Sequence, residues 1–244
     1  MIPKKIHYCW FGGKELPQSA RRYMESWKKH CPDWEIIRWD ESNFDIQKYP
    51  FAEYCLKNQE WAFLSDIVRL AVVYEYGGVY LDTDVEVLRP LDPLCDHEAF
   101  YGFQLPEQLN TGHGFGAEAG HRTLKAMLDA YLSLEPDACG VYPLIPCPVL
   151  NTSPLVELGL KLDGSCQNIS GARIYSLEYF NPYEYTTGRM RKTSDSYCIH
   201  WYSQSWISPW GKLRCILTRP FHRVFGVECF SWLKRNRTDG DFTE

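Results

Sequence analysis

The chain opens on an apolar block. KKIHYCWF at 4–11 ends at Gly12-Gly13, the pattern of a buried strand that starts an α/β domain. Residues 17–30 switch to helical spacing, with Ala20, Tyr23, Met24 and Trp27 on one side, and Cys31-Pro32-Asp33 stops them. WEIIRW at 34–39 alternates and predicts a second strand, followed by a turn at Asp40-Glu41-Ser42-Asn43. The strongest helix covers 59–76, where Phe63, Ile67, Leu70, Ala71 and Tyr74 recur on one face and Gly77-Gly78 supplies the stop. VYLDTDVEVL at 79–88 follows as a strand, closed by Pro90 and Pro93.

Beyond this point the pattern loosens. Residues 98–117 are strand- and loop-like, 121–134 are helical, and 136–154 are proline-rich and irregular. Short strands and turns fill 166–200, and 210–235 return to a basic, amphipathic, helical pattern. Alternating strand, helix and strand predict an α/β fold with a mostly parallel central sheet flanked by helices. At 244 residues this is one large domain with a small appendage, drawn at 1–209 and 210–244.

Charge changes the picture only locally. The net charge of -5 speaks against a nucleic-acid partner for the chain as a whole. Between Trp206 and Arg237, however, seven Lys or Arg face a single Glu. Such a basic amphipathic segment suits peripheral contact with an anionic membrane through 210–237, or packing on the rest of the chain with a solvated face. The ten cysteines form no C-x-x-C pair, so a zinc site of the usual kind is not expected. No apolar run has the length of a signal peptide or a membrane span, which places the protein in the cytoplasm, with the inner face of the membrane as its contact. Three N-x-S/T sequons, at Asn151, Asn168 and Asn236, are then chance matches.

The chemistry centres on Asp82-Thr83-Asp84. At the end of an apolar strand, alternation would turn both carboxylates to one face. Two adjacent carboxylates repel, and Mn²⁺ or Mg²⁺ resolves that repulsion while leaving positions open for phosphate oxygens. A bare D-x-D is also what a solvent-facing strand end looks like. Its context narrows the choice: on the preceding helix, Asp66 and Arg69 are three apart and share a face, next to the glycine turn that leads into the strand.

SDIVRLAVVYEYGGVYLDTDVEV at 65–87 resembles the D-x-D sugar-binding region of glycosyltransferase family 32. That family groups yeast-type mannosyltransferases with bacterial capsule-synthesis transferases, and the region is also similar to the catalytic domain of large clostridial glucosylating toxins. IPKKIHYCWFGG at 2–13 resembles the family's opening strand, and CIHWYSQSW at 198–206 its late H-W-x-x-S-W element. The resemblance implies a GT-A fold and a nucleotide-sugar donor, UDP-hexose first and GDP-mannose second. It also implies a saccharide or lipid-linked acceptor in surface polysaccharide synthesis, with retention at the anomeric carbon.

Carried onto this chain, the resemblance has Trp10 stack on the base, while Ser65, Asp66 and Arg69 hold ribose or donor-sugar hydroxyls. Tyr80 and Asp82 contact the donor, Asp82 in part through the metal's water shell. Asp84 ligates the metal directly, and His200 is a second metal or pyrophosphate ligand. Ser205 and Trp206 close over the pyrophosphate. Many relatives carry two histidines in the late element where this chain has one, so the choice among His200, Ser203 and Ser205 as metal ligand stays open. Front-side attack by the acceptor hydroxyl, with the leaving phosphate as base, is the expected course, and a carboxylate nucleophile stays open beside it.

Other residues carry weaker signals. Asn110-Thr111-Gly112-His113-Gly114 and His121 suit an acceptor loop or a structural turn equally well, and His7 suits a satisfied core histidine. Two rivals stand against transfer. LDTDV at 81–85 also fits a haloacid dehalogenase-like phosphatase, which wants its Asp nucleophile on the first strand, near the start, with a later Lys and a paired acidic motif. A non-catalytic sugar- or nucleotide-binding domain would use the aromatic residues alone.

Overall fold

A computed structural model describes residues 1–203, 209–226 and 229. In chain order the elements are β1 (Lys5–Cys9), α1 (Gln18–His30), β2 (Glu35–Trp39), α2 (Pro50–Lys57), α3 (Trp61–Tyr76), β3 (Gly78–Tyr80) and β4 (Val85–Val87). Next come β5 (Ala99–Leu105), β6 (Gln108–Leu109), β7 (Phe115–Ala117), α4 (Arg122–Leu132), α5 (Cys147–Glu157), β8 (Gln167–Ile169), β9 (Ala172–Tyr175) and α6 (Leu177–Phe180). Last are β10 (Tyr183–Glu184), β11 (Arg189–Met190), β12 (Cys198–His200) and α7 (Pro209–Phe225).

The central sheet runs β2-β1-β3-β7-β5-β9-β8, with β6 paired to β5. β1 is parallel to β2 and β3, and β5 to β9. β7 sits antiparallel between β3 and β5, and β6 and β8 also run against their neighbours. Five of the eight strands therefore point one way. This is the mostly parallel α/β sheet, flanked by helices, that the alternation of strand and helix in the sequence leads one to expect.

Strand alternation builds two cores. Tyr80, Tyr101, Phe103 and Phe115 pack with α2, α3, α4 and α5 on one face. Ile6, Tyr8, Val79 and Phe100 pack with Trp27 of α1 on the other. With both faces covered, α3 is buried almost all round, from Leu64 to Val73 except Ser65. Its stop is a backbone requirement. Gly77 sits at φ 61° and Gly78 at φ 119°, where a Cβ on Gly78 would lie 2.8 Å from His7 Nε2.

His7 is fully buried and satisfied at both nitrogens. The Trp39 indole N–H donates to its Nδ1 at 3.0 Å, and its Nε2 lies 2.9 Å from the Gly77 carbonyl. An indole only donates and a carbonyl only accepts, so the ring is neutral with its proton on Nε2. Burial holds its pKa below the ordinary histidine value.

The structure departs from the sequence pattern at three places. The strand expected over 79–88 breaks: β3 ends at Tyr80, residues 81–84 form a turn closed by Val85 N–H to Asp82 O at 3.0 Å, and β4 pairs with β12 in a separate two-stranded sheet. α2 carries Pro50 in its first turn. α5 lies inside the stretch expected to be irregular, with one proline in its first turn and Pro154 inside it. Proline is tolerated where a helix begins, so those prolines marked starts rather than breaks.

The chain forms two compact units. One holds Met1–Pro182 and Lys192–His200. The other holds Tyr183–Arg191 and the described residues from Trp201 onward. In the second, Arg219 lies over the Tyr185 ring at 5.1 Å, and Arg223 donates to the carbonyls of Thr187 and Gly188. Trp210, Leu217, Val224 and Phe225 of α7 are exposed by 62% or more. Among the described residues no helix is long and apolar enough to cross a membrane.

Candidate active site

α3, β3 and the turn after β3 deliver the carboxylates. The i,i+3 spacing on α3 places Asp66 and Arg69 on one face, with Arg69 Nη2 3.1 Å from Asp66 Oδ1. The same Nη2 is 3.1 Å from Asp82 Oδ1. Tyr80, fully buried, donates its hydroxyl to Asp82 Oδ1 at 2.9 Å, and the Arg69 guanidinium lies 5.0 Å from the centre of the Tyr80 ring. The Asp82 N–H donates to the Gly112 carbonyl at 3.1 Å. A Cβ on Gly112 would stand 2.4 Å from Asp82 Oδ2, so glycine is what lets the 110–112 loop approach.

His200 arrives from the far end of the sequence. In the antiparallel β4–β12 pair it lies opposite Val85, beside Asp84. Its Nε2 is 3.1 Å from Asp84 Oδ1. β4 is held by α1, whose Trp27 indole donates to Val85 O at 2.8 Å and whose Ser26 Oγ accepts from Val87 N at 2.9 Å. Asp82 and Asp84 therefore converge through a turn, not through strand alternation. Ligand atoms of Asp82, Asp84 and His200 all lie within 4.8 Å of one another.

The electrostatics of this cluster are unbalanced. Burial pushes Asp66 up to about 6, against the pull of Arg69. Burial also raises Asp82, while Arg69 pulls it down and Asp84 pushes it up. Burial works against the Arg69 charge, but Asp82 and Asp66 outweigh it and hold the guanidinium protonated. Burial would lower His200, and Asp84 outweighs that effect and raises it. One fixed cation thus serves several carboxylates in a low-dielectric place. Two carboxylate oxygens and one imidazole nitrogen with surplus negative charge fit a divalent cation such as Mn²⁺ or Mg²⁺.

Of the residues expected from the sequence, Asp66, Arg69, Tyr80, Asp82, Asp84 and His200 come together. Ser65 and Trp10 are half-buried, and their polar atoms bond locally. Ser65 Oγ donates to Trp61 O at 2.9 Å, and Trp10 Nε1 donates to Lys14 O at 2.6 Å. Ser205 and Trp206 lie outside the described residues. His121 does not join the cluster: its Nδ1 caps α4 by accepting from Thr123 N–H. His113 is fully buried against Phe180 and meets His200 edge-on at 6.5 Å between ring centres. β1 ends at Cys9 without an aspartate, so the phosphatase arrangement of an acidic nucleophile after the first strand is absent.

Sequence reasoning missed Cys147. It opens α5, and its Sγ lies 3.8 Å from Arg69 Nη1 and 3.8 Å from Asn110 Oδ1. Nothing in local sequence joins residue 147 to residue 69; the packing of α5 on α4 and β6 does so. Gly112 was visible as a glycine, and its reason is Asp82.

The family described as glycosyltransferase sugar-binding region containing DXD motif matches residues 17–101. Inositol phosphoceramide mannosyltransferase 3 of Schizosaccharomyces pombe is 32% identical over 126 residues, covering 49% of this chain and 34% of that protein. Mannosyl phosphorylinositol ceramide synthase SUR1 of Saccharomyces cerevisiae is 30% identical over 104 residues, covering 41% and 27%. The chain spans about a quarter to a third of the length of these relatives. Among solved structures, PaToxG glycosyltransferase aligns with a TM-score of 0.49 at 16% identity, over 64% of this chain and 69% of that one. The galactosyltransferase LgtC aligns at 0.46 and 14%, over 98% of each. The stretch 17–101 that is similar to the glycosyltransferase sugar-binding region containing DXD motif holds Asp66, Arg69, Asp82 and Asp84.

Proposed function

We propose that the protein is a metal-dependent, retaining glycosyltransferase that moves a hexose from a nucleotide-diphosphate sugar to a saccharide or lipid-linked acceptor. The observation that carries this reading is the Asp66–Arg69–Asp82 bridge, centred on the buried Arg69 and placed beside the Asp84–His200 pair.

Asp82, Asp84 and His200 would hold the cation. When bound, a divalent cation supplies Lewis-acid stabilisation of a leaving diphosphate. The remaining roles belong to the protein. Arg69 keeps its charge and fixes Asp66 and Asp82 in one geometry, so hydroxyls of ribose or sugar meet acceptors already oriented. Tyr80, its pKa driven up by burial, stays protonated and keeps donating to Asp82. Trp10 at the end of β1 offers a ring to the base. No side chain is assigned as a nucleophile, in keeping with front-side attack.

UDP-hexoses and GDP-mannose are both donors to test. The names of the relatives, mannosyltransferases acting on inositol phosphoceramide, bring a mannosyl donor and a lipid acceptor forward. α7 supports peripheral membrane contact through its exposed apolar side chains, although Arg219 and Arg223 are engaged by the 183–191 hairpin. The deciding experiment is a screen of nucleotide sugars for Mn²⁺-dependent hydrolysis, with Asp82→Asn and Asp84→Asn as controls. Hydrolysis of one donor, lost in both variants, is expected. Turnover unchanged in either variant would contradict the assignment, and binding that persists without metal would favour a non-catalytic module.

A further inference from the structure

One buried titratable group beside the candidate site is left unused by the Arg69 bridge and the metal ligands. His113 is 0% exposed, and neither ring nitrogen makes a well-formed hydrogen bond among the described residues. Buried polar atoms are nearly always bonded, and each exception asks for a reason in the chemistry around it. The fold makes room for this ring. A Cβ on Gly102 would lie 3.0 Å from His113 Cε1 and 2.8 Å from Phe180 Cδ2, so glycine in β5 admits the stacked pair. Phe180 in turn stacks on Phe100 and Tyr197 at 5.5 and 5.8 Å between ring centres. Packing therefore fixes the place of the imidazole and makes no use of its nitrogens.

The ring sits where one loop meets both halves of the metal cluster. Residues 110–114 reach Asp82 at Gly112, whose carbonyl accepts the Asp82 N–H and whose missing Cβ leaves room for Asp82 Oδ2. Asn110 braces that approach, its Oδ1 accepting from Gly112 N–H at 2.5 Å. One residue further on, His113 meets His200 at an interplanar angle of 63°. Asp82 comes from the turn after β3 and His200 from β12, so the loop touches a ligand from each side. Burial drives the His113 pKa well below the ordinary histidine value, His200 and Arg69 lower it further, and the Gly114 backbone opposes them. The imidazole is therefore neutral, with one donor and one acceptor nitrogen. It stands outside the ligand set of Asp82, Asp84 and His200. A cation of the Mg²⁺ kind keeps several waters beside so few protein ligands, and those waters need partners of their own.

We propose that His113 is a positioning residue for the cation: its neutral imidazole hydrogen-bonds a water of the metal's shell and, packed against His200, keeps that ligand in register with Asp82. This inference rests on the metal-dependent reading of the site. It gives a role to polar atoms for which the fold alone has no use. An apolar side chain of similar volume would fill the space beside Phe180 and leave no nitrogen unmet.

The test uses the whole chain with Mn²⁺ and no nucleotide sugar. Mn²⁺ affinity is read from the paramagnetic resonance signal of the free ion, and thermal unfolding is followed in the metal-free protein. His113→Leu keeps the bulk and removes both nitrogens. It is expected to bind Mn²⁺ at least about tenfold more weakly, as loss of a hydrogen-bonding partner behind metal ligands does. Its melting temperature is expected to equal or exceed that of wild type. His113→Asn and His113→Gln each offer an amide in place of the ring nitrogens, and one of them is expected to recover most of the lost affinity. Wild-type affinity in His113→Leu would overturn the proposal. Equal loss in all three folded variants, or a melting temperature that falls in step with affinity, would assign the ring to packing and overturn it as well. A wild type that binds no Mn²⁺ would refute the metal reading and this proposal together. The expected response at residue 113, in a protein that hydrolyses no nucleotide sugar, would sink the transferase reading and uphold the role of His113.

Discussion

Arg69 Nη2 stands 3.1 Å from Asp82 Oδ1, and the same nitrogen stands 3.1 Å from Asp66 Oδ1. Arg69 is 4% exposed, so removing its guanidinium strands the buried Asp66 carboxylate and the half-buried Asp82 carboxylate. Breaking a buried ion pair in this way costs about 3–5 kcal/mol. Arg69→Ala should therefore lower the melting temperature by roughly 6–20 °C for a chain of this size. Arg69→Lys keeps the charge but loses the fork and the contact with the Tyr80 ring, so it should fall between wild type and Arg69→Ala. Thermal unfolding of the three proteins checks the order. A Lys variant as stable as wild type would show that only charge matters.

How much of this was legible beforehand depended on the range of the interaction. The Asp66–Arg69 face and the Gly77-Gly78 stop follow from helical periodicity, so they could be read directly. The convergence of Asp82 and Asp84 was expected for the wrong reason, since β3 ends early and a turn brings them together. His200 was placed by resemblance, while its actual determinant is the β4–β12 register. Cys147 was invisible, because its contact with Arg69 arises from helix packing across 78 residues of sequence. Local pattern fixes elements well; contacts between distant elements leave little trace in it.

Gly112 makes a sharper test of the site than the carboxylates themselves. A methyl group there would lie 2.4 Å from Asp82 Oδ2 and 3.1 Å from Arg69 Nη1. Backbone conformation does not forbid alanine, so relief comes from moving the Asp82 side chain by about an ångström. Misplacement on that scale can cost on the order of a hundredfold in rate. Overpacking costs about 1–3 kcal/mol in stability. Gly112→Ala should therefore stay folded while nucleotide-sugar hydrolysis falls roughly a hundredfold. Wild-type hydrolysis in a folded Gly112→Ala protein would remove Asp82 from the reacting geometry.

The Asp84–His200 pair predicts a metal affinity that can be measured without any donor. Asp84→Asn removes a charged oxygen from the three-residue set, and His200→Ala removes its nitrogen. Each should weaken Mn²⁺ binding by more than about tenfold, judged against the 10–100-fold typical of lesser changes around metal sites. Calorimetric titration or the Mn²⁺ paramagnetic resonance signal reports this directly. If Glu86→Gln, two residues beyond Asp84 on β4, had the same effect, the cation would be sensing general charge and not these ligands.

His7 predicts how stability depends on pH. The ring must be neutral, because Nδ1 accepts from the Trp39 indole and Nε2 donates to Gly77 O. Burial is the main reason its folded pKa lies below the unfolded value of 6.5, with Lys5 lowering it further and the Gly77 bond and Glu35 opposing. Below 6.5 the unfolded chain binds a proton that the folded chain refuses, so the stability it contributes is present above 6.5 and lost as pH falls toward the folded pKa. His97, His113 and His121 are lowered by burial as well, and His200 is raised and acts in the opposite sense. The His7 share must therefore be read as a difference between wild type and His7→Gln. The glutamine variant should be less stable near neutral pH, where it loses the fitted ring. The gap should narrow steadily as pH is lowered from about 7 to 5, since only the wild type has a ring there to protonate. Denaturant unfolding at a series of pH values measures that gap. A gap independent of pH would show that residue 7 does not titrate in this range.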